Sequence, residues 1–418
     1  MSDVPAYRSG DIPAAAPVAR AAAIPHRAAR DISVEIAGAA RLAGVRAAWT
    51  DLVARADSPN VFMDPALVCA AAEAEPHGGH RALLVWKSVD GRRQLVGVWG
   101  FGVGYAPRSA LPVRMLTIPR QRHGHLATPV VDRDCLDETL DAMLDCIAAD
   151  PALPKIAALD MMGADGPTYD ALIRVLARRG SVPFVFERSC RPKLASGLDG
   201  KAYLEKSLSG STRKKLRQHR RRLSEKGALT SAVVSEPQAV RDALEEFLAL
   251  EASGWKGRQG TALLSDETDA AFMRGAVGAL ADQGCASIHS LTLDGKPISM
   301  QIVARAGAAA FTWKTTYDEA FGDFSPGALL LEDYTAAFLA DKTIAFVDSC
   351  SFDDSGFMSA WAERQAIADL WIDARRGGSL AFRVLSRVQK SYRDMRGAAK
   401  SAYRAWRTWR SWRKPRDR

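Results

Sequence analysis

Apolar and polar positions along the chain follow two different periods, and the order in which those periods succeed one another occurs twice. Residues 41–56 and 65–73 carry apolar side chains every three or four positions, the spacing of helices with one buried face. Residues 81–89 and 94–105 alternate instead, and the Asp90-Gly91 pair between them is a hairpin turn signal, so both read as strands. A helix over 137–149, a strand over 155–161, a helix over 167–179 and a strand over 182–187 complete this stretch. A strand at 229–235 opens the second stretch. Pro237 then starts a helix whose stripe is Val240, Leu244, Phe247 and Leu248. A helix at 269–282 precedes three strands, 287–293, 297–304 and 309–316, the first two joined by Asp294-Gly295. A helix at 326–339, a strand at 344–349 and a helix at 360–372 end the pattern. The expected fold class is therefore α/β (α+β). Two tandem lobes, 33–190 and 191–375, each carry a mixed, mostly antiparallel sheet flanked by helices. The Ala/Pro-rich stretch 1–32 has no period and is expected to be disordered.

Composition narrows the class. At 418 residues, two domains is the natural expectation, and a hydrophobic fraction of 47% supports a sizeable core. No run of apolar residues is long enough to span a bilayer, and the N-terminus lacks a secretory pattern. The six cysteines, at 69, 135, 146, 190, 285 and 350, form no C-x-x-C pair. They read as reduced thiols, with no metal site, and the expected location is cytoplasmic. The net charge of +9 is unevenly placed: from Arg375 to Arg418, fifteen Lys/Arg face two acids, a local +13, which leaves the rest of the chain near −4. A general nucleic-acid binder would not confine its basicity to a tail.

Several segments could carry chemistry. Ser325-Pro326-Gly327-Ala328 follows a strand and opens a helix: serine suits an N-cap, proline the first turn, and glycine lets a ligand approach the backbone. Such a helix start favours a phosphate, although a plain capped helix has the same residues. Between Arg213 and Lys226, eight Lys/Arg meet only Glu225, giving a basic helix. Trp255-Lys256-Gly257-Arg258 leaves the preceding helix at Gly254, one turn after Glu251. Asp348 ends a strand, with Asp353 and Asp354 in the following loop. His123-Gly-His125 lacks the spacing of a zinc site, and no nucleophile elbow or P-loop is present.

The order of a three-stranded meander, a phosphate-ready helix start and a further strand resembles the GNAT fold. More closely, the chain resembles the BioF2-like acetyltransferase family, with its CelD-type members. The segments that carry the resemblance are Tyr203–Ser209 leading into the basic helix, Leu250–Gly257, the Ser325-Pro326-Gly327 start and the strand ending in Asp348. The first lobe matches through Trp49, Pro59-Asn60-Val61-Phe62 and Thr128-Pro129. Phe357-Met358 stands where the family frequently has a Tyr-Lys pair, so a role for that lysine does not carry over. The resemblance implies an N- or O-acyltransferase that takes its acyl group, acetyl above all, from acyl-CoA and gives it to an amine or hydroxyl, with a cell-envelope glycan as one acceptor class. Trp313, Ser325, Pro326, Gly327 and Ala328 would hold the donor. Arg213, Arg217, Trp255 and Lys256 would face substrate, the two arginines as a wall for the CoA 3′-phosphate or for an acidic acceptor. Asp348, Tyr317 or Glu251 would take the acceptor's proton, by direct transfer without a cysteine intermediate. Fem-type peptidyltransferases, which use aminoacyl-tRNA, are distant relatives and define a rival activity, although the chain has no room for their coiled-coil arm. A non-catalytic scaffold in a polysaccharide-assembly complex is the remaining alternative.

The tail, 376–418, repeats apolar residues every three or four positions: Phe382, Leu385, Val388, Tyr392, Met395, Ala399, Ala402, Trp406 and Trp409. Lys and Arg fill the other faces. This basic amphipathic helix could lie on anionic membrane at 379–413, dock on the body of the protein, or meet nucleic acid, the last being the least expected.

Overall fold

The computed structural model describes residues 32–105, 109–120, 122–351 and 356–412. The expected disordered stretch up to residue 31, and the carboxylates of Asp353 and Asp354, lie outside the described residues. Six strands belong to the first half: β1 (Ile32–Ala37), β2 (Arg81–Val89), β3 (Arg92–Tyr105), β4 (Arg114–Thr117), β5 (Val130–Val131) and β6 (Ile156–Gly163). The next strand, β7 (Phe184–Leu194), closes the first half. Beyond it come β8 (Leu229–Val234), β9 (Ala286–Leu293), β10 (Lys296–Ala306), β11 (Ala309–Tyr317), β12 (Phe346–Asp348) and β13 (Glu363–Asp373). The helices of the first half are α1 (Ala39–Leu42), α2 (Arg46–Arg55), α3 (Pro65–Ala74), α4 (Leu136–Ala149) and α5 (Pro167–Arg178). Those that follow are α6 (Gly200–Ser207), α7 (Gly210–Ser224), α8 (Pro237–Ser253), α9 (Trp255–Arg258), α10 (Glu267–Asp282), α11 (Pro326–Ala340) and α12 (Leu380–Trp412).

All thirteen strands form one sheet, in the order β1-β2-β3-β4-β6-β13-β7-β12-β11-β10-β9-β8, with β5 attached to β3. The order has an internal symmetry. In each half, four strands pair antiparallel, the fourth pairs parallel with a fifth (β4 with β6, β11 with β12), and a sixth strand comes from the other half. β7, from the first half, pairs with β12, and β13, from the far end of the chain, pairs with β6. The two exchanged strands pair with each other over nine register positions from Glu363↔Lys193 to Trp371↔Phe184. This is a tandem, GNAT-like α/β architecture whose two halves are tied by strand exchange.

Two expectations change. The 360–372 segment is a strand, β13, and not a helix. It is buried on both faces and bulged next to Leu370, so its apolar residues do not alternate: Leu370 and Ile372 join the main core, and Trp371 packs beneath α12. The 41–56 helix is two helices separated by a 3-10 turn at Ala43–Val45. β1, β4 and β5 were not among the expected elements.

The core is continuous across the halves. α10 packs on α3, where a methyl at Gly275 would lie 3.2 Å from the Ala70 side chain. α12 begins after Gly377 and Gly378, both in the left-handed region. Its start is fixed by the buried Asp373, which accepts from the Ser379 N–H at 2.9 Å and the Ser379 hydroxyl at 2.7 Å. Phe382 and Leu385 then pack on Met115, Ile156 and Trp371.

Because β13 is an interior strand, a chain ending after Ser349 strands both β6 and β7 without a partner along most of their length. Such a truncation is expected to be insoluble or to lack a cooperative melting transition, which circular dichroism and calorimetry would show.

Candidate active site

The parallel pair β11–β12 is short. Ala309, Ala310 and Phe311 pair with Phe346, Val347 and Asp348, after which β11 continues to Tyr317 while β12 has ended. The strands therefore part at Asp348. The Asp348 side chain is fully buried there in an ion pair with Arg191 of β7, also fully buried. The other carboxylate oxygen accepts from the Cys350 N–H at 2.9 Å, and Arg191 donates to the His125 carbonyl at 2.6 Å. Both carboxylate oxygens are thus engaged, and the arrangement gives Asp348 a positioning role.

A β-bulge falls in β11 immediately beyond the parting point: Ile302 faces Lys314 and Val303 faces Thr312, leaving Trp313 unpaired. Trp313, expected to touch the donor, is 3% exposed and donates from Nε1 to the His123 carbonyl at 2.7 Å. Phe62 and Phe272 stand edge-on to it. Its role is to hold the 118–129 loop of the first half over β11. That loop is further tied by Asn60, whose amide donates to the Leu126 and Thr128 carbonyls at 2.9 and 2.7 Å.

Lys314 is the residue that the bulge presents to the junction. It is half-buried, and its ammonium has no hydrogen-bond partner among the described residues. Burial pushes its ammonium down to about 8, and the charge of Lys256 adds to this. Glu251 is 3% exposed, and both its oxygens are engaged: one accepts from Lys256 Nζ at 2.6 Å and the other from the Leu263 N–H at 2.8 Å. It anchors the loop that carries Lys256, whose Nζ also lies 3.5 Å from the Thr315 carbonyl. Gly257 is required at that turn, because a methyl there would sit 1.8 Å from the Ala252 carbonyl oxygen. Trp255 is 36% exposed and Tyr317, at the end of β11, 38% exposed.

Across the junction, Asp269 gathers Arg120, Arg122 and His123, the last two at 2.9 Å. Burial raises the Asp269 carboxyl, but His123 and the two arginines outweigh it and hold the group at about 2. Burial, reinforced by the charge of Lys314, lowers His123 to about 4, so its ring is neutral at pH 7. Burial likewise keeps the Cys350 thiol protonated, well above its ordinary value. A cavity of about 210 Å³ lined by Glu75, His80, Tyr105, Arg120 and Arg122 adjoins this cluster.

The start of α11 differs from the expectation in one respect. Ser325 is the N-cap residue, but it is left-handed (φ 51°, ψ 55°) and its side chain makes no cap bond. Its carbonyl accepts from the Ala328 and Leu329 N–H groups at 2.9 and 3.2 Å. Pro326 is buried, and the ring of Phe357 lies 3.5 Å from where a Gly327 methyl would be. No acid occupies the first turn. The corresponding helix of the first half, α4, has Asp137 and Glu138 there, so of these two helices α11 has the start suited to phosphate. The basic helix α7 lies alongside through residues other than those expected. Arg220 reaches Asp333 at 2.6 Å and the Leu329 carbonyl at 3.3 Å, and Lys226 stands over Phe324. Arg213 pairs with Glu205 at 3.5 Å and Arg217 is exposed on the same helix.

Glu251 and Lys256 lie beside β11, with Lys256 near the Thr315 carbonyl; Tyr317 ends that strand, and the Ser325–Ala328 start follows it in the chain. Asp348 and Trp313 are buried, with their side-chain polar groups already hydrogen-bonded. Lys314, Arg191 and the Asp269 cluster went unselected in the sequence. Lys314 had one available signal, a lone lysine within a strand of apolar and hydroxyl residues. Arg191 and Asp269 had none, because their partners are 157 and 149 residues away.

The parallel pair β11–β12 that parts at Asp348, next to an antiparallel run of four strands, is the architecture of a GNAT-type fold. Residues 210–350 match the family model for the acetyltransferase (GNAT) domain. No curated protein sequence matches the chain significantly. Among solved structures, FemX superposes with a TM-score of 0.54 at 14% identity, covering 78% of this chain and 94% of that one, a likeness of fold alone. A C-terminal domain assigned to a lysylphosphatidylglycerol synthetase of Agrobacterium fabrum has a TM-score of 0.49 at 16% identity, covering 84% and 96%. A tandem GNAT protein from the clavulanic acid biosynthesis pathway has 0.42 at 12%, covering 83% and 99%. No helix among the described residues is long and apolar enough to cross a membrane, and no group of metal-ligating side chains occurs among them.

If Asp348 is framework, replacing its partner exposes the cost. Arg191→Met is expected to lose about 3–5 kcal/mol, because it leaves a buried carboxylate uncompensated. The double change Arg191→Met/Asp348→Leu should recover most of that stability in denaturant titrations.

Proposed function

We propose that the protein transfers an acyl group, acetyl in the simplest case, from acyl-CoA to an amine or hydroxyl acceptor. The observation that carries this reading is the start of α11, free of acids and of any side-chain cap and set beyond the parting of β11 and β12, with Lys314 at the bulge. The Gly327 N–H at the start of α11 would receive the donor's pyrophosphate, and the basic face of α7, with exposed Arg217 and half-buried Arg213, its 3′-phosphate. Acyl-CoA supplies the activated acyl carbon when bound. Lys314, with its pKa near the working range, takes the proton from the attacking nitrogen or oxygen as the new bond forms. Tyr317, at the exposed end of β11, returns a proton to the departing sulfur. Lys256, held by Glu251, and Trp255 would line the acceptor side, with its charge favouring an acidic acceptor. The buried, protonated Cys350 makes direct transfer the simpler route. A cell-envelope glycan is the acceptor class we would test first, in keeping with the family resemblance.

A panel of acyl-CoAs of graded length, tRNA and a no-ligand control, read by thermal shift, separates the donors. A shift with acyl-CoA supports this reading, one with tRNA alone supports aminoacyl transfer, and none with either supports a scaffold. Gly327→Asp is expected to leave the melting temperature unchanged or slightly raised, since an acid suits a helix start, while abolishing acyl-CoA binding. Unaltered affinity would overturn the site.

The pH profile tests the base. The ordinary lysine value is 10.5 and the folded one about 8, so the neutral, proton-accepting form accumulates as pH rises through 8. Activity is expected to climb with a midpoint near 8, and Lys314→Arg, charged throughout, should lose that limb and about 100-fold or more in rate.

A further inference from the structure

We propose that the distal part of α12, from Asp394 onward, is an interfacial helix that seats the protein on an anionic lipid bilayer. The helix divides into two parts that behave differently. In the first, Phe382, Leu385, Ser386 and Gln389 are buried, Gln389 accepts from the Ala110 N–H at 2.6 Å, and Arg393 lies over Phe186. Docking on the body therefore accounts for that part of the apolar stripe. It does not account for the rest. Every described side chain from Asp394 to Trp406 is exposed, including Met395 at 64%, Tyr403 at 57% and Trp406 at 46%. The helix nevertheless continues to Trp412, so about 28 Å of it lies beyond the packed part.

Charge identifies the occupant. Between 394 and 412 the sequence has five Lys/Arg and one acid, Asp394, which Lys390 already pairs at 3.1 Å. Met395, Ala399, Ala402 and Trp406 recur at helical spacing along one side, with Arg396 beside it and Lys400 and Arg404 toward the opposite side. A phosphate backbone would use the charge and leave the apolar side in water. A bilayer surface takes both, with aromatic rings at headgroup level and basic side chains on anionic lipid. The helix is not apolar enough to cross, so it lies on the surface.

The test uses the full chain with vesicles of phosphatidylcholine alone and of phosphatidylcholine containing about 30% phosphatidylglycerol. Co-sedimentation is expected with the anionic vesicles only, falling roughly tenfold from low salt to about 0.5 M. Tyr403→Ser/Trp406→Ser should weaken it at least about fivefold at low salt, where charge alone would still act. A chain ending at Arg393 should lose binding while keeping its melting temperature, since the packed turns remain. Absence of anionic-vesicle binding, equal binding to both vesicles, or binding of tRNA by the full chain that the truncation abolishes without any vesicle binding would each overturn the proposal.

Discussion

The buried pair of Arg191 and Asp348 is the contact on which the rest of the site depends. Arg191 lies on the strand that the first half lends to the second, and Asp348 ends the strand it is lent to. The same guanidinium holds the His125 carbonyl, so one side chain joins the exchanged strand, the parting of β11 and β12, and the loop above them. Two ions without solvent are costly unless their remaining hydrogen-bonding groups are satisfied. Here the Cys350 N–H and the His125 carbonyl provide two of those bonds.

The two halves share a strand order but not a chemistry. In each the strands of the parallel pair are connected through a helix, yet α4 opens with two acids and α11 with none. Residues 118–129 reach across to Trp313 and, through His123, Arg120 and Arg122, to Asp269 on α10. One half thus supplies a cleft and the other builds its wall. Burial of that wall sets the electrostatics: neutral histidines, a thiol that stays protonated and a lysine brought to about 8.

How much was legible depended on whether a signal was local. The meander strands, the Pro237 and Pro326 helix starts and the C-terminal helix all followed from spacing and from proline or turn chemistry. β13 did not, because a strand covered on both faces loses the alternation that marks it. The glycine of Trp255-Lys256-Gly257 was visible as a motif, and the structure supplies its cause, a carbonyl 1.8 Å from any added methyl.

By itself, the sequence determined the meander strands and most helices, the acid-free start at Pro326-Gly327 and the concentration of charge in the tail, since each is a property of neighbouring residues. Tertiary structure alone decided that β7 and β13 change places, that Asp348 and Glu251 are already engaged, and that Lys314 stands half-buried beside Lys256 and Asp269. Those outcomes depend on partners distant in the chain. A side chain's hydrogen-bond partners and the water around it, which decide whether it frames a site or acts in it, exist only once the chain has folded.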